Sequence, residues 1–132
     1  MKKIVLNRCY GGFGLSNKAI QLFLEKADGR IFAYMDSIDL EWLRFNPEEN
    51  PHYVWFAYQD LGETPIKFEG RHELASGLDR DDPALVATVE ELGDAANDWA
   101  SKLEIVEIPD DVDWEIEECD GREWVRERSR SW

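Results

Sequence analysis

The chain is poor in the residues that stabilise small proteins or bind metals. It has two cysteines, Cys9 and Cys119, which lie far apart and belong to no CxxC or Cys/His cluster. We interpret them as free thiols of a cytoplasmic protein, because structural disulfides form in oxidising compartments. The two histidines, His52 and His72, form neither HxH nor HExxH, the spacings typical of zinc sites. We therefore expect no bound metal and no cofactor.

Long apolar runs are also missing. The longest are about four to six residues, as in 53–58, whereas a membrane-spanning helix needs about 20. The N-terminal lysines lead directly into a strand pattern, so no signal peptide is expected. Apolar residues nevertheless make up 43% of the 132 positions, too many for a disordered chain. We expect one cytoplasmic domain, 1–132, with no membrane contact.

Positive charge is scarce. There are 15 Lys and Arg against 29 Asp and Glu, a net charge of −14. Residues 79–132 carry most of the imbalance, with 18 acids against 6 bases. Phosphates repel such a surface, so direct binding of nucleic acid is not expected. A basic protein surface is an electrostatically suitable partner.

Hydrophobic spacing predicts an α+β fold, with a mixed sheet packed by two main helices and a C-terminal hairpin. Ser16 is the predicted N-cap of the first helix, and Asp28-Gly29 is its predicted end. Asp82-Pro83 opens the second helix. Strands are predicted at 2–8, 30–35, 53–58 (buried on both faces), 66–68 and 102–108, and a short helix or turn-rich segment at 38–45.

Asp120-Gly121 is the pair that a two-residue hairpin turn prefers, and it separates Trp114–Glu118 from Arg122–Glu127. This register places Glu115 opposite Arg126, Ile116 opposite Val125 and Asp113 opposite Arg128. The edge at 122–128 could pair between copies, so homo-oligomerisation is left open. Trp55, Trp99 and Trp114 are predicted in core or half-core positions.

A glycine-rich loop between the first strand and the first helix is the main candidate site. Backbone N–H groups near a helix N-terminus attract anions, Arg8 adds charge, and an aromatic ring could stack on a base. The alternative is a tight connection that binds nothing. GxxxxGK[ST] and GxGxxG are both absent. The predicted ligand-binding residues are Asn7, Arg8, Tyr10, Gly11, Gly12, Phe13, Gly14 and Ser16.

Cys9 lies in the same loop, near a helix N-terminus that could lower its pKa. No histidine is close in sequence to activate it, so an inert Cys9 is favoured over a nucleophile, and we expect no enzyme.

An acidic stripe is the second candidate site. Alternate residues of a strand share one side at a spacing of about 6.7 Å, comparable to neighbouring phosphates of a nucleic acid. We expect Arg126 and Arg128 to neutralise part of it, and a merely solvated face is the alternative. The predicted partner-binding residues are Asp110, Asp111, Asp113, Glu115 and Glu117.

Both ends of the chain resemble a family of small acidic proteins encoded by bacteriophages and prophages. The resemblance lies in Asn7–Ser16 and in the closing stretch with Pro109-Asp110-Asp111-Val112, Asp120-Gly121 and Trp132. It implies a phage accessory protein of the bacterial cytoplasm, a class that often counters host defence. It implies no catalytic residue.

Together these observations predict a non-enzymatic binding protein that captures a small anionic or nucleotide-like ligand at the glycine-rich loop. The first alternative is an acidic, nucleic-acid-mimicking inhibitor of a basic host protein. The second is an enzyme with a Cys9 nucleophile.

Overall fold

Two helices and eight strands lie within residues 1–36, 41–49, 54–67 and 78–128, the ranges that the computed structural model describes. In chain order they are β1 (Lys2–Asn7), α1 (Asn17–Ala27), β2 (Phe32–Asp36), β3 (Glu41–Arg44), β4 (Val54–Ala57), β5 (Ile66–Lys67), α2 (Pro83–Leu92), β6 (Leu103–Ile108), β7 (Trp114–Cys119) and β8 (Arg122–Glu127). Short 3₁₀ turns follow β3, at Pro47–Glu49, and α2, at Gly93–Ala96.

The strands form three antiparallel groups. β1 pairs with β6, from Lys2 opposite Ile108 to Asn7 opposite Leu103. β4, β2, β3 and β5 form a four-stranded sheet in that order, and β7 and β8 form a hairpin. This arrangement confirms the predicted α+β class with two helices and a C-terminal hairpin. Neither helix has the length and apolar character that crossing a membrane requires.

The segment after β2 corrects the sequence-based expectation. A short helix or turn-rich stretch was predicted for 38–45, whereas Glu41–Arg44 is strand β3. Its pairing explains the difference, because Leu43 lies opposite Met35 of β2 and Trp42 lies opposite Ile66 of β5. Pairing on both sides outweighs a weak local pattern. Residues 37–40 lie outside the described ranges.

The termini of α1 follow local chemistry. The Ser16 hydroxyl accepts a hydrogen bond from the Ala19 N–H at 3.1 Å, which confirms the predicted N-cap. Asp28 and Gly29 end the helix in the left-handed region, with φ of 49° and 83°. Glycine tolerates that conformation because it has no Cβ.

Asp82 begins α2 and ties it to two other elements. One carboxylate oxygen accepts the Ala84 N–H at 2.9 Å, and Pro83 takes the first helical position. Arg30, before β2, donates to both oxygens at 3.0 and 3.1 Å. The Tyr58 hydroxyl, after β4, donates at 3.0 Å. The predicted cap is confirmed, and the fold adds partners that the local sequence does not show.

One core joins both helices to the β1–β6 pair and the inner face of the four-stranded sheet. Phe23 of α1 meets Phe56 of β4 edge-on, with ring centroids 5.4 Å apart. Buried members include Val5, Ile20, Ala33, Leu85 and Val89. Each helix therefore buries one apolar face in this core.

The outer face of the four-stranded sheet is apolar as well. Tyr34 stacks on Trp55, and Trp42 meets Trp55 edge-on, both with centroids 5.0 Å apart. Trp55 and Phe56 point to opposite faces and are both buried. This confirms burial of β4 on both faces.

The hairpin has the predicted register. Glu115 lies opposite Arg126 and Ile116 opposite Val125. Arg128 continues the pattern, since its N–H donates to the Asp113 carbonyl at 2.9 Å. Pairing of the 122–128 edge between copies stays a prediction.

Removing the carboxylate of Asp82 should destabilise the fold by about 2 kcal/mol, because a cap and charged hydrogen bonds are lost together. Asp82→Ala loses both, whereas Asp82→Asn keeps a capping oxygen and should cost less. Urea denaturation at neutral pH measures both variants. Asp81→Asn, a neighbouring carboxylate not used as a cap, is the control.

The stability difference should also depend on pH. Burial favours the neutral carboxyl, but hydrogen bonds from Arg30, Ala84 and Tyr58 outweigh it and lower the pKa of Asp82. Burial likewise raises the pKa of Tyr58 to about 12, so its hydroxyl remains a donor. A carboxyl group with a lowered pKa in the folded state stabilises the fold at pH values above its unfolded pKa of about 3.9. This stabilisation is lost as the pH falls through the folded-state pKa. A gap between wild type and Asp82→Asn that stays constant from neutral pH to pH 3 would contradict this.

Candidate functional site

Asn7, at the end of β1, organises the glycine-rich loop. Its side chain is fully buried. The Nδ2 group donates to the carbonyls of Cys9, at 2.9 Å, and Gly121, at 2.7 Å, and Oδ1 accepts the Lys102 N–H at 2.9 Å. One amide thus connects the loop, the start of β6 and the hairpin turn. Asn7 was predicted to bind a ligand, but its side-chain amide makes these hydrogen bonds within the chain.

A buried ion pair lies beside Asn7. Glu123 of β8 accepts the Asn7 N–H at 2.8 Å and both Nη groups of Arg80 at 2.6 and 2.8 Å. The Glu123 side chain is 8% exposed and that of Arg80 18%. The Arg80 guanidinium lies 3.6 Å from the centre of the Phe13 ring. Phe13, one of the predicted ligand-binding residues, therefore packs on a cation of the protein itself.

Other donors of the loop also have partners within the chain. The Arg8 guanidinium donates to Glu104 through Nε at 3.0 Å and to the Glu123 carbonyl through Nη1 at 3.0 Å. The Ser16 hydroxyl donates to the Ala95 carbonyl at 2.7 Å. These internal hydrogen bonds leave fewer donors for an anion. Ligand capture by this loop stays a prediction. Backbone bonds are Arg8 N to Lys102 O (2.8 Å), Gly11 N to Cys9 O (3.0 Å), Gly12 N to Ala100 O (3.1 Å) and Ser16 N to Ala96 O (2.9 Å).

Two glycines of the loop allow close packing. A Cβ on Gly11 would collide with the carbonyl oxygen of Ala100, and one on Gly14 would collide with the carboxylate of Asp98. Gly12 differs, because a Cβ there would meet nothing within 4 Å. The tight connection anticipated as the alternative accounts for Gly11 and Gly14.

Cys9 is half-buried, and its Sγ lies 3.0 Å from the Ala100 carbonyl oxygen and 3.4 Å from Asn7 Oδ1. Both oxygens are acceptors within reach of the thiol, which is a weak donor. Cys119 is exposed. A nucleophilic role for Cys9 stays a hypothesis.

Around the loop lies a surface that we call the aromatic patch, formed by Tyr10, Trp99, Arg122 and Trp124. Tyr10 is 70% exposed, Trp99 84% and Trp124 38%. Arg122 lies over the Tyr10 ring at 5.9 Å, and Arg122 and Trp124 are alternate residues of β8, which share a face. Tyr10 and Trp99 flank the contact between Gly11 and Ala100.

Trp99 corrects a sequence-based expectation, since a core or half-core position was predicted and its side chain is exposed. A tight turn carries it outward, because the Asp98 carboxylate accepts the Ala100 N–H at 2.8 Å and the Ser101 hydroxyl accepts the Asp98 N–H at 2.9 Å. Asp-x-x-Ser after a helix is a turn pattern that could have indicated exposure. Arg122 was missed because only the hairpin fold brings it to Tyr10.

The acidic stripe is largely paired. Glu115 and Glu117 bind Arg126 at 3.1 and 2.6 Å, and Asp113 binds Arg128 at 3.4 Å. This confirms the expected partial neutralisation by Arg126 and Arg128. Asp110 pairs with the N-terminal amine at 3.4 Å, and Asp111 is exposed. The stripe is therefore a mixed-charge face rather than a continuous row of carboxylates.

Within the described ranges, no three His, Cys, Asp or Glu side chains come together so that they could hold a metal ion. His52 and His72 lie outside those ranges. Comparison with family models, curated proteins and solved structures finds no match to this chain. The fold and site together define a small α+β domain with an exposed aromatic patch.

A matched pair of glycine variants should show whether the close contact at Gly11 stabilises the fold. Gly11→Ala should lower the free energy of unfolding by about 1–3 kcal/mol, because its methyl group meets backbone that cannot move away easily. Gly12→Ala should change it by less than about 0.5 kcal/mol. Thermal and urea denaturation measure both. Equal losses for the two variants would show that the close contact at Gly11 has no special role.

Glu123→Ala should cost about 3 kcal/mol, because it leaves the Arg80 charge and the Asn7 N–H without their acceptor in a largely buried place. Urea denaturation is again the measurement. Glu127→Ala, an exposed acid on the same strand, should stay within about 0.5 kcal/mol. A loss of that size for Glu123→Ala too would refute the network's importance.

Proposed function

We propose that this protein is a non-enzymatic binding protein that docks on a basic protein surface through the aromatic patch. The observation that carries the proposal is the exposure of Trp99 and Tyr10, 84% and 70%, on either side of the close contact between Gly11 and Ala100. Exposed single aromatics are ordinary, but a cluster of Trp, Tyr and Arg has the composition of an interface hot spot. Burying such rings supplies most of the binding free energy of typical interfaces.

Rigid local structure supports this role. Two side-chain hydrogen bonds hold the turn at Asp98 that exposes Trp99, and the close contact between Gly11 and Ala100 joins this turn to the segment that carries Tyr10. Asn7 binds the hairpin turn through Gly121 and so positions Arg122. Side chains held in place before binding lose less conformational entropy when a partner arrives.

Charge selects the class of partner. The net charge is −14, so even if every Lys and Arg paired with one acid, fourteen acids would remain. The segments that carry the aromatic patch also contain four acidic residues, Asp94, Asp98, Glu118 and Asp120. A negative field accelerates the approach of a basic surface and repels acidic ones.

The resemblance to phage-encoded proteins supplies a setting for the proposal. In that setting the encounter takes place in the cytoplasm of a bacterial host, the partner is a basic host protein, and docking on it counters a host defence. This replaces the acidic stripe with the aromatic patch as the contact surface, because three of the stripe's five carboxylates already have arginine partners.

Immobilised protein should retain basic proteins from a bacterial lysate at low salt and release them as the ionic strength rises. For a retained protein, once identified and purified, the double variant Tyr10→Ser/Trp99→Ser should weaken binding at least tenfold, since a single hot-spot aromatic is worth about 2 kcal/mol, or about 30-fold. Calorimetry measures the affinity.

The double variant Glu48→Gln/Glu49→Gln serves as the control, because it removes charge from exposed positions in the turn after β3. Its affinity should change less than that of the aromatic variant. Equal binding by the aromatic variant and wild type, or no basic protein retained at low salt, would overturn the docking proposal.

Capture of a nucleotide-like ligand by the loop is the alternative, and it has a separate readout. Open space around Gly12 beside the exposed Tyr10 is the observation that favours it. A thermal shift with cyclic nucleotides or ADP-ribose that disappears in Arg8→Ala/Tyr10→Ala would support it. No shift for wild type would count against it.

A further inference from the structure

A groove of about 510 Å³ lies between the inner face of the hairpin and the segment that precedes α2. Trp114 and Ile116 line it from β7, and Leu78 lines it from the other side. Charged side chains, among them Lys2, Asp79 and Asp81, complete the lining. The groove therefore combines an aromatic surface with carboxylates.

An ammonium group of the chain itself already occupies part of this groove. Lys2 Nζ lies 5.7 Å from the centre of the Trp114 ring and 3.7 Å from Asp81 Oδ2. A ring face together with a carboxylate is a favourable environment for an alkylammonium ion. The contact is loose, since the Lys2 and Asp81 side chains are 35% and 33% exposed.

The charges of the lining favour further cations. Four carboxylates line the groove, those of Asp79, Asp81, Asp113 and Glu115. Arg80 also lines it, but its guanidinium is committed to the buried Glu123. Asp113 and Glu115 pair with Arg128 and Arg126. The charges that remain in the lining are those of Asp79 and Asp81 against that of Lys2, two negative against one positive.

We propose that this groove binds a lysine side chain of the basic partner, with the ammonium between Trp114 and Asp81 and with Lys2 as the displaceable occupant. This inference rests on the proposed function, because it identifies the chemistry that the partner presents. The groove is separate from the aromatic patch: Trp114 is at the open end of the hairpin, and Arg122 is beside its turn.

Displacing Lys2 costs its own contact, so the groove should bind more tightly when Lys2 is absent. Lys2→Gln removes the competing ammonium and adds one net negative charge. A cation–π contact at an exposed site is worth about 0.5–1 kcal/mol, which corresponds to a two- to fivefold gain in affinity. Lys3→Gln is the matched control, since Lys3 pairs with Glu90 at 2.9 Å and is absent from the groove lining.

The test is an NMR titration with a pentalysine peptide at constant ionic strength, followed through the indole N–H signals of the tryptophans. Trp114→Phe assigns the relevant signal. That signal should shift to saturation in wild type, with binding about two- to fivefold tighter in Lys2→Gln and nearly unchanged in Lys3→Gln. Pentalysine acetylated on every side chain should have no effect, because acetylation removes the charge.

A Trp114 signal that pentalysine leaves unmoved in both wild type and Lys2→Gln would overturn the groove, as would an equal response to the acetylated peptide. An equal gain in pentalysine affinity in Lys2→Gln and Lys3→Gln would show that only the net charge matters, and it would also overturn the proposed groove site. Failure of the proposed function would appear in a different experiment, as equal partner affinities of wild type and Tyr10→Ser/Trp99→Ser. The two proposals can therefore fail independently.

Discussion

The buried hydrogen-bond network of Asn7, Glu123 and Arg80 is the interaction on which the rest of the structure depends. The hairpin and the β1–β6 pair are separate sheets, and this network joins them through side chains. The bonds to the Glu123 carboxylate are charge-assisted and mostly shielded from water, where such bonds are strongest. Without them the glycine-rich loop would lose its support on both sides.

The same network determines which surfaces are available to a partner. It directs the donors of Asn7 and Arg8 into the chain, and it holds the Phe13 ring against Arg80. What remains outward is aromatic, at Tyr10 and Trp99. The same network therefore keeps the polar groups inside the chain and leaves the aromatic rings exposed. Both features favour docking on a protein over binding of an anion.

Local signals predicted the elements whose residues satisfy one another nearby. Ser16 and Asp82 cap helices within three residues, and Asp120-Gly121 determined the hairpin register with its Glu115–Arg126 pair. Strand β3 was missed because its stabilising partners lie on β2 and β5. The placement of Trp99 was wrong because a turn, rather than strand or helix periodicity, decides where its side chain points.

By itself, the amino-acid sequence determined the α+β class, both helices, the hairpin and the excess of negative charge, since each follows from composition or from contacts a few residues apart. The tertiary structure alone decided that the glycine-rich loop packs against Ala100, that Arg80 reaches Glu123, and that Lys2 meets Trp114. These pairs are far apart along the chain. Only the packing of the sheets brings the residues of each pair into contact, because a local sequence pattern carries no information on contacts between distant segments.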